Sequence, residues 1–353
     1  MTRNRPRLLL VSTRSWAGVE PFLRALERAG FAVALVHGQA GGHALHDMSV
    51  ALYLAGPLQF RPTIELVIED LAPDLVVATD ATSFQHLAAL YAMRTDGGRL
   101  RSPVARTIAK SLGDPEACAR ISSLAGLFAL ARDHGLPVPH AVAVRDEAAL
   151  RSLLQSGPLP ALLKSDGGGA LSCADIVDSS AAGIDAYHRV TGKDRPWQEQ
   201  GARNSDLMQP QPCAVWLQRH IAGAAVTRAV ACRDGRILAG INGGPLKSGP
   251  KPAAKIIADA ALDSVTARLV KLLNLSGIVG LEFILEHGTG KPWLIKVKPY
   301  ATPSVQLPAA GDGGLPEALY GAFAGVPERR REPVAAPTIG RWRDQPLGLP
   351  LVY

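Results

Sequence analysis

Short apolar runs alternate with amphipathic segments through the first 110 residues of the chain. Runs such as Leu8-Leu9-Leu10-Val11 predict buried strands, and the segments between them have the spacing of helices that cover a sheet. This alternation, with short connections, predicts a parallel sheet with helices on both faces, which is a doubly wound α/β unit. The predicted strands are Arg7–Ser12, Ala32–His37 and Leu75–Thr79, and the predicted helices are Val19–Ala29, about Thr63–Leu71, and Ser83–Met93.

The pattern changes after residue 110, where hairpins replace the strict alternation and predict an α+β arrangement. A single helix is predicted from Ser111 to Asp133, and Gly135 ends it. The remaining predicted elements are strands at Ala141–Val144, Leu159–Lys164 and Ala214–Gly223, a hairpin over Val226–Ala239, a helix over Asp259–Asn274, a hairpin of Gly280–Leu285 with Trp293–Lys298, and a helix from Pro316 to Phe323.

One predicted strand ends in a lysine and opens directly into glycines. Lys164 is followed by Ser165, Asp166, and the consecutive Gly167, Gly168 and Gly169. Such a segment can present backbone N–H groups to phosphate oxygens, with the lysine ammonium as a point charge beside them. The alternative is a glycine-rich surface turn after a core strand.

The last predicted hairpin places unusual charges on adjacent strands. Its first strand carries one acid, Glu282, and its second strand alternates apolar residues with Lys296 and Lys298. Alternation places Lys296, Lys298 and Leu294 on one face, and Ile295 and Val297 on the other. Two ammonium groups on one face repel each other unless an anion or an acid lies between them.

Composition narrows the class of protein. The chain has 353 residues, 47% of them hydrophobic and 20% charged, which predicts packed globular domains. No stretch approaches the ~20 apolar residues of a membrane-spanning helix. The net charge of +7 is dispersed, and the run Arg329–Arg331 is framed by acids without interleaved aromatic residues, so nucleic-acid binding is not predicted. Four scattered cysteines predict reduced thiols and a cytoplasmic location.

Asp80 follows the third predicted strand, at the edge where open α/β sheets bind ligands. The favoured interpretation is a helix N-cap, and ligand contact is the alternative. No Gly-x-Gly-x-x-Gly signature follows the first strand, so nicotinamide binding has little support.

The last hairpin resembles the final strands of the ATP-grasp fold, in which an acid, a turn and Ile-Glu-Val-Asn-Pro-Arg-Ala-Thr supply magnesium ligands and an arginine. Position by position, the first acid is Glu282, and Lys296, Lys298 and Tyr300 replace the Glu, the Asn and the Arg. Pro299, Ala301 and Thr302 keep the pattern. The resemblance implies that Glu282 is the one retained metal position.

Other segments resemble the same family in order along the chain, about residues 7–325. Lys164, Asp166 and Gly167 match its glycine-rich loop, whereas its distal Gly-Gly-Arg-Gly is replaced by residues 170–173. Gln218, Ile221 and Gly223 match the hinge that recognises adenine, and Arg219 replaces an acid there. A helical cation of the family falls at or near Ser123, where none is present.

The resemblance implies an N-terminal doubly wound pre-ATP-grasp domain followed by a two-lobed ATP-grasp domain. The predicted bounds are residues 1–110 for the first domain, 111–212 and 213–328 for the two lobes, and 329–353 for a C-terminal tail.

The function implied is binding of ATP or another small polyanion, without normal magnesium-dependent ligase chemistry. Two alternatives stay open: an active carboxylate–amine ligase that forms an acylphosphate, and a non-catalytic scaffold or subunit. No catalytic residue, oligomeric state or acyl substrate is predicted. The residues implied in nucleotide binding are Lys164, Asp166, Gly167, Gly168, Gly169, Gln218, Arg219, Ile221, Lys296 and Lys298, and Glu282 is the weakly implied metal position.

Overall fold

The N-terminal unit of the computed structural model is a four-stranded parallel sheet flanked by helices. Its strand order is β3-β2-β1-β4, which agrees with the predicted doubly wound unit. The sequence pattern did not predict β3, a short edge strand whose burial follows no strict alternation. The elements are β1 (Arg7–Ser12), α1 (Val19–Ala29), β2 (Ala32–Gly38), β3 (Ala51–Ala55), α2 (Phe60–Leu71), β4 (Leu75–Ala78) and α3 (Ala81–Arg94).

The structure describes eleven parts of the chain, and every structural statement below concerns these. They are residues 5–14, 19–38, 50–95, 102–165, 174–191, 214–244, 253–255, 257–302, 305, 314–325 and 339–341.

Three helices follow, which are α4 (Pro103–Leu112), α5 (Pro115–Ile121) and α6 (Leu124–His134). The single helix that was predicted over Ser111–Asp133 covers the end of α4, all of α5 and most of α6. The single-helix prediction is wrong because two polar caps restart the helix. The Asp114 side chain accepts from the N–H of Ala117, and the Ser123 side chain accepts from the N–H of Gly126. The predicted stop at Gly135 is confirmed, with this residue in the left-handed conformation. The predicted domain boundary at residues 110 and 111 falls inside α4.

A small lobe follows, built on an antiparallel sheet of order β5-β8-β6-β7. Two helices cover one face of this sheet, and together they enclose a separate apolar core that includes Leu150, Leu163 and Val215. The elements are β5 (Ala141–Val144), α7 (Glu147–Ser156), β6 (Ala161–Ser165), β7 (Ala174–Val177), α8 (Ser180–Thr191) and β8 (Val215–Arg219).

The C-terminal part centres on a second antiparallel sheet of order β10-β9-β12-β13. Both predicted hairpins form its strands, and β14 in the predicted tail pairs with β11. The elements are β9 (Gly223–Arg233), β10 (Arg236–Gly243), β11 (Ala253–Lys255), α9 (Ala260–Leu272), β12 (Gly277–Glu286), β13 (Pro292–Lys298), α10 (Leu315–Ala324) and β14 (Ile339–Arg341).

The N-terminal unit and the C-terminal sheet share their apolar cores, unlike the small lobe. Leu9 and Phe60 belong to one cluster with Val230 and Phe283. A second shared cluster joins strands β1 and β4 to helix α10. The small lobe therefore stands as a separately packed unit beside a larger fused body. None of the helices in the described parts is long and apolar enough to cross a membrane.

Candidate functional site

Lys164 lies on the face of the small-lobe sheet that is turned away from its helices. Its neighbour Leu163 is packed in the helix-covered core, and alternation along β6 places Lys164 on the opposite face. The side chain is almost enclosed, because Lys164 is only 9% exposed. Burial lowers the pKa of Lys164 to about 8, an effect opposed by Glu282 and reinforced by Lys296.

Glu282 and the two lysines of the last hairpin are brought together on the C-terminal sheet. Glu282 of β12 lies opposite Lys296 of β13 in the antiparallel register, and Gly280 lies opposite Lys298. The Lys298 ammonium donates to Glu282 Oε1 in an ion pair whose side chains are 23% and 18% exposed. Glu282 is therefore the acid that the sequence predicted beside two ammonium groups on one face of the sheet.

A β-bulge changes which apolar residues share that face. The pairing shifts between Glu282 and Phe283, so β13 accommodates one extra residue opposite this step. Leu294 and Val297 both pack in the core on the far side of the sheet, whereas Ile295 packs with Ile221. The prediction that Leu294 shares the face of the lysines, and Ile295 that of Val297, is therefore wrong.

Electrostatics couple the two sheets across the site. Burial acts to raise the pKa of Glu282, but the charges of Lys298, Lys296 and Lys164 outweigh it and hold this pKa below its usual value. Burial raises the pKa of the nearby Tyr300, which keeps its phenol neutral. One carboxylate thus lies within electrostatic reach of three lysines that come from two different lobes.

The predicted hinge residues separate into two groups. Gln218 is only 1% exposed, and Ile221 is buried against Ile284 and Ile295. Arg219 is largely exposed, and its Nη2 lies 3.9 Å from Oε1 of Glu286. Of the hinge positions, Gln218 and Ile221 are therefore enclosed, whereas Arg219 points its charge toward the C-terminal hairpin turn. The predicted loop residues Asp166, Gly167, Gly168 and Gly169 lie outside the described residues.

Two aromatic residues near Lys164 were not predicted from the sequence. Trp216 lies directly opposite Lys164 in the β6–β8 register, and its ring packs 4.9 Å from that of Phe128, between centroids. The available signal was strand alternation, because Trp216 and Gln218 occupy every second position of the predicted strand.

Asp80 is confirmed as a helix N-cap. Its carboxylate accepts from the N–H of Ser83 at 2.8 Å, and it also accepts from the N–H and the hydroxyl of Thr13 at 2.8 and 2.7 Å. Asp80 therefore ties the segment after β1 to the start of α3.

The next feature is the supply of side-chain oxygen atoms that could bind a metal ion at the site. Of the three positions to which the sequence resemblance assigns metal ligands, Glu282 alone carries an oxygen ligand, and its carboxylate accepts from Lys298. Across the described ranges, no group of three or more His, Cys, Asp or Glu side chains is arranged to hold a metal ion.

Comparison with known proteins defines the class of fold. The amino-acid sequence matches no family model and no curated protein. Solved structures of ATP-grasp enzymes match nearly the whole chain at low identity, so the chain has the ATP-grasp fold, with an N-terminal domain and two lobes.

Three of these structures illustrate the likeness. N5-carboxyaminoimidazole synthase from Aspergillus clavatus, in complex with ADP and 5-aminoimidazole ribonucleotide, is 12% identical with a TM-score of 0.66, over 96% of this chain and 82% of that one. The biotin carboxylase domain of Hydrogenobacter thermophilus 2-oxoglutarate carboxylase, with MgADP, ADP and bicarbonate, is 12% identical with a TM-score of 0.65, over 93% and 71%. L-amino acid ligase from Bacillus licheniformis is 15% identical with a TM-score of 0.60, over 91% and 75%.

Proposed function

We propose that the chain binds ATP or a similar polyanion between its two lobes, with lysine ammonium groups in place of magnesium. Lys164 is the contact from the small lobe, and Lys296 and Lys298 are the contacts from the C-terminal sheet. The sequence resemblance also implies a phosphate-binding role for the glycines at 167–169. Normal magnesium-dependent ligase chemistry is absent.

The observation that carries the proposal is the ion pair between Lys298 and Glu282. Glu282 is the acid that the resemblance assigns to the metal, and here a lysine ammonium already accompanies it. Lys164 and Lys296 both lower the pKa of the same carboxylate, so they lie within electrostatic range of it. Three lysines that act on the same buried carboxylate form a cationic cluster, and such a cluster favours a polyanion at this point.

The lysines do not fit a magnesium site. Magnesium prefers six oxygen ligands, and a charged lysine offers no lone pair. A unit positive charge ~4 Å from a divalent cation contributes roughly 8 kcal/mol of repulsion at an effective dielectric constant of ~20. An ammonium group instead supplies both the positive charge and the N–H donors that phosphate oxygens accept.

Isothermal titration calorimetry with ATP, in EDTA and then in excess magnesium, tests this proposal. We expect binding in EDTA that magnesium does not strengthen, and we expect Lys164→Met to weaken it. Absence of binding in both buffers, or binding that strictly requires magnesium, overturns the proposal.

The second candidate is an active ATP-dependent carboxylate–amine ligase, which the ligase and carboxylase activities named for the structural neighbours favour. It predicts ADP release in a screen of carboxylates and amines, abolished by Lys164→Ala. If the chain is instead a scaffold or subunit, nucleotides will not change its melting temperature.

A further inference from the structure

A cavity of about 340 Å³ lies between helices α5 and α6 and the C-terminal end of α9. Apolar side chains from all three helices line it, namely Ala117 of α5, Leu130 of α6 and Leu272 of α9. Leu272 is 37% exposed, so the described residues leave part of this apolar wall open to solvent. The volume is at the lower end of the range for small-molecule sites, so it suits a compact organic ligand.

This cavity is separate from the charged site, because the two lie on opposite faces of α6. Gly126, Ala129 and Asp133 line the cavity, and their spacing of three and four residues places them on one face of the helix. Phe128, which packs against Trp216 beside the charged site, is turned to the opposite face. A ligand in the cavity therefore does not contact the residues proposed to bind phosphate.

Charges of opposite sign stand at the two ends of the cavity. Helices α5 and α6 form a hairpin, since only residues 122 and 123 connect them. Arg120 lies at the connected end, because its carbonyl oxygen is 2.0 Å from the place that a Cβ on Gly126 would take. Asp114 precedes Arg120 by six residues and Asp133 follows Gly126 by seven, so each acid lies roughly 9–11 Å away along its helix. The apolar wall lies between the acids and the arginine.

The charged groups at both ends can still bind a ligand. Within the described part of the chain, no hydrogen bond or ion pair engages the Arg120 guanidinium. The Asp114 carboxylate accepts one backbone N–H, through Oδ1 at 2.9 Å. Asp133 pairs with its exposed neighbour Arg132 at 3.2 Å, and an exposed pair of this kind holds a carboxylate only weakly. Arg268 of α9 is bonded to backbone carbonyls at the end of α6 and not to either acid.

We propose that this cavity binds a zwitterion whose ammonium and carboxylate groups stand at opposite ends of an apolar chain, as in an ω-amino acid. The carboxylate of the ligand pairs with the guanidinium of Arg120, whose planar N–H donors match its two oxygens. The ammonium group, with three N–H donors, lies between Asp114 and Asp133. The chain packs on the apolar wall, which removes apolar surface from water. This site goes beyond the proposed function, because no nucleotide takes part in it.

Isothermal titration calorimetry with 6-aminohexanoate, on the full chain without nucleotide, tests the inference. Hexanoate and hexylamine each lack one of its two charged groups, and leucine carries both on a single carbon. We expect each of these three to bind about tenfold more weakly, the scale of one lost hydrogen bond to a charged group. Arg120→Met should remove the advantage of 6-aminohexanoate over hexylamine. Asp114→Asn, which keeps the helix cap, should reduce its advantage over hexanoate. Arg24→Met removes an exposed guanidinium of α1 and, as the control, should change neither.

A second pair of variants tests the place of binding. Ala129→Leu fills the cavity and should abolish binding, whereas Ala125→Leu adds the same bulk on the exposed side of α6 and should leave binding unchanged. Equal affinity of the wild-type protein for all four compounds, or no binding of 6-aminohexanoate, overturns the inference. Unchanged binding by an Ala129→Leu variant that thermal melting shows to be folded overturns it as well. Because no nucleotide is present, each of these results is independent of whether ATP binds.

Discussion

Two charged pairs lie on opposite faces of the C-terminal sheet, and they are built differently. Arg228 of β9 donates through Nη1 to Asp263 Oδ1 at 2.5 Å and to Asn242 Oδ1 at 2.6 Å. Lys298 of β13 pairs with Glu282 of β12 on the other face, since Glu282 follows Leu281, which lies opposite Arg228.

The surroundings of the two pairs explain the difference. Arg228 is 6% exposed, and its partners come from β10 and from α9, so this pair joins the sheet to the helix that covers it. Burial lowers the pKa of Arg228, and Asp263 opposes that shift. Lys298 and Glu282 instead belong to one hairpin, and the charge nearby comes from Lys164 of the other lobe. The first pair therefore ties the covering helix to the sheet, whereas the second lies within one hairpin and beside a lysine of the other lobe.

The largest expected effect is on stability, at the Arg228 pair. We expect Asp263→Ala to lower the free energy of unfolding by about 3 kcal/mol, the lower end of the range for a broken buried pair, because the Arg228 guanidinium is buried while the Asp263 carboxylate is 56% exposed. Urea unfolding at pH 7 measures this change. Introducing Asp263→Ala into an Arg228→Met background is the control, where the loss becomes much smaller. If Lys298→Met lowers the free energy of unfolding by as much as Asp263→Ala does, the two pairs do not differ in their contribution to stability.

The next effect is on ligand affinity, at the Lys298 pair. We expect Lys298→Glu to weaken ATP binding in EDTA by about 100-fold, because the charge beside the phosphates changes by two units. Lys291→Glu makes the same charge change in the exposed turn of the same hairpin, where Lys291 lies over Trp293. Calorimetry that finds equal losses in the two variants would show that overall charge, and not the site, governs affinity.

The smallest effect follows from the titration of Lys164. Its pKa of about 8 predicts that anion affinity falls about tenfold between about pH 7 and pH 9, as the ammonium loses its proton. The free energy of unfolding changes in the opposite direction and rises with pH above about pH 8. The reason is that the unfolded chain, with a lysine pKa of ~10.4, binds more protons there than the folded chain does. Lys164→Met should show neither trend, and a pH profile of affinity that is the same in both proteins would contradict this assignment.

Much of the fold follows from local pattern. The strand Arg7–Ser12 and the helix Val19–Ala29 were predicted with the bounds that the structure has, because their apolar spacing is unambiguous. The range predicted as one helix, Ser111–Asp133, contains the end of α4, all of α5 and most of α6, since capping by Asp114 and Ser123 competes with a continuous apolar pattern. Local patterns therefore locate elements better than they locate the caps that interrupt them.

The site was harder to predict, because its chemistry depends on contacts between distant strands. Resemblance along the chain indicated Lys164, Glu282, Lys296 and Lys298, and the structure places the three lysines close enough to Glu282 to lower its pKa. It did not indicate Trp216, which the register of β8 against β6 places opposite Lys164. The bulge in β13 likewise could not be predicted from strict alternation.

The most direct test of ammonium groups in place of magnesium is a crystal structure grown with a non-hydrolysable ATP analogue and manganese, which stands in for magnesium and scatters anomalously. Our account predicts phosphate density between Lys164 and the Lys296 and Lys298 side chains, with no anomalous peak at Glu282. An anomalous peak coordinated by Glu282 between the phosphates, or an empty cleft, would contradict it.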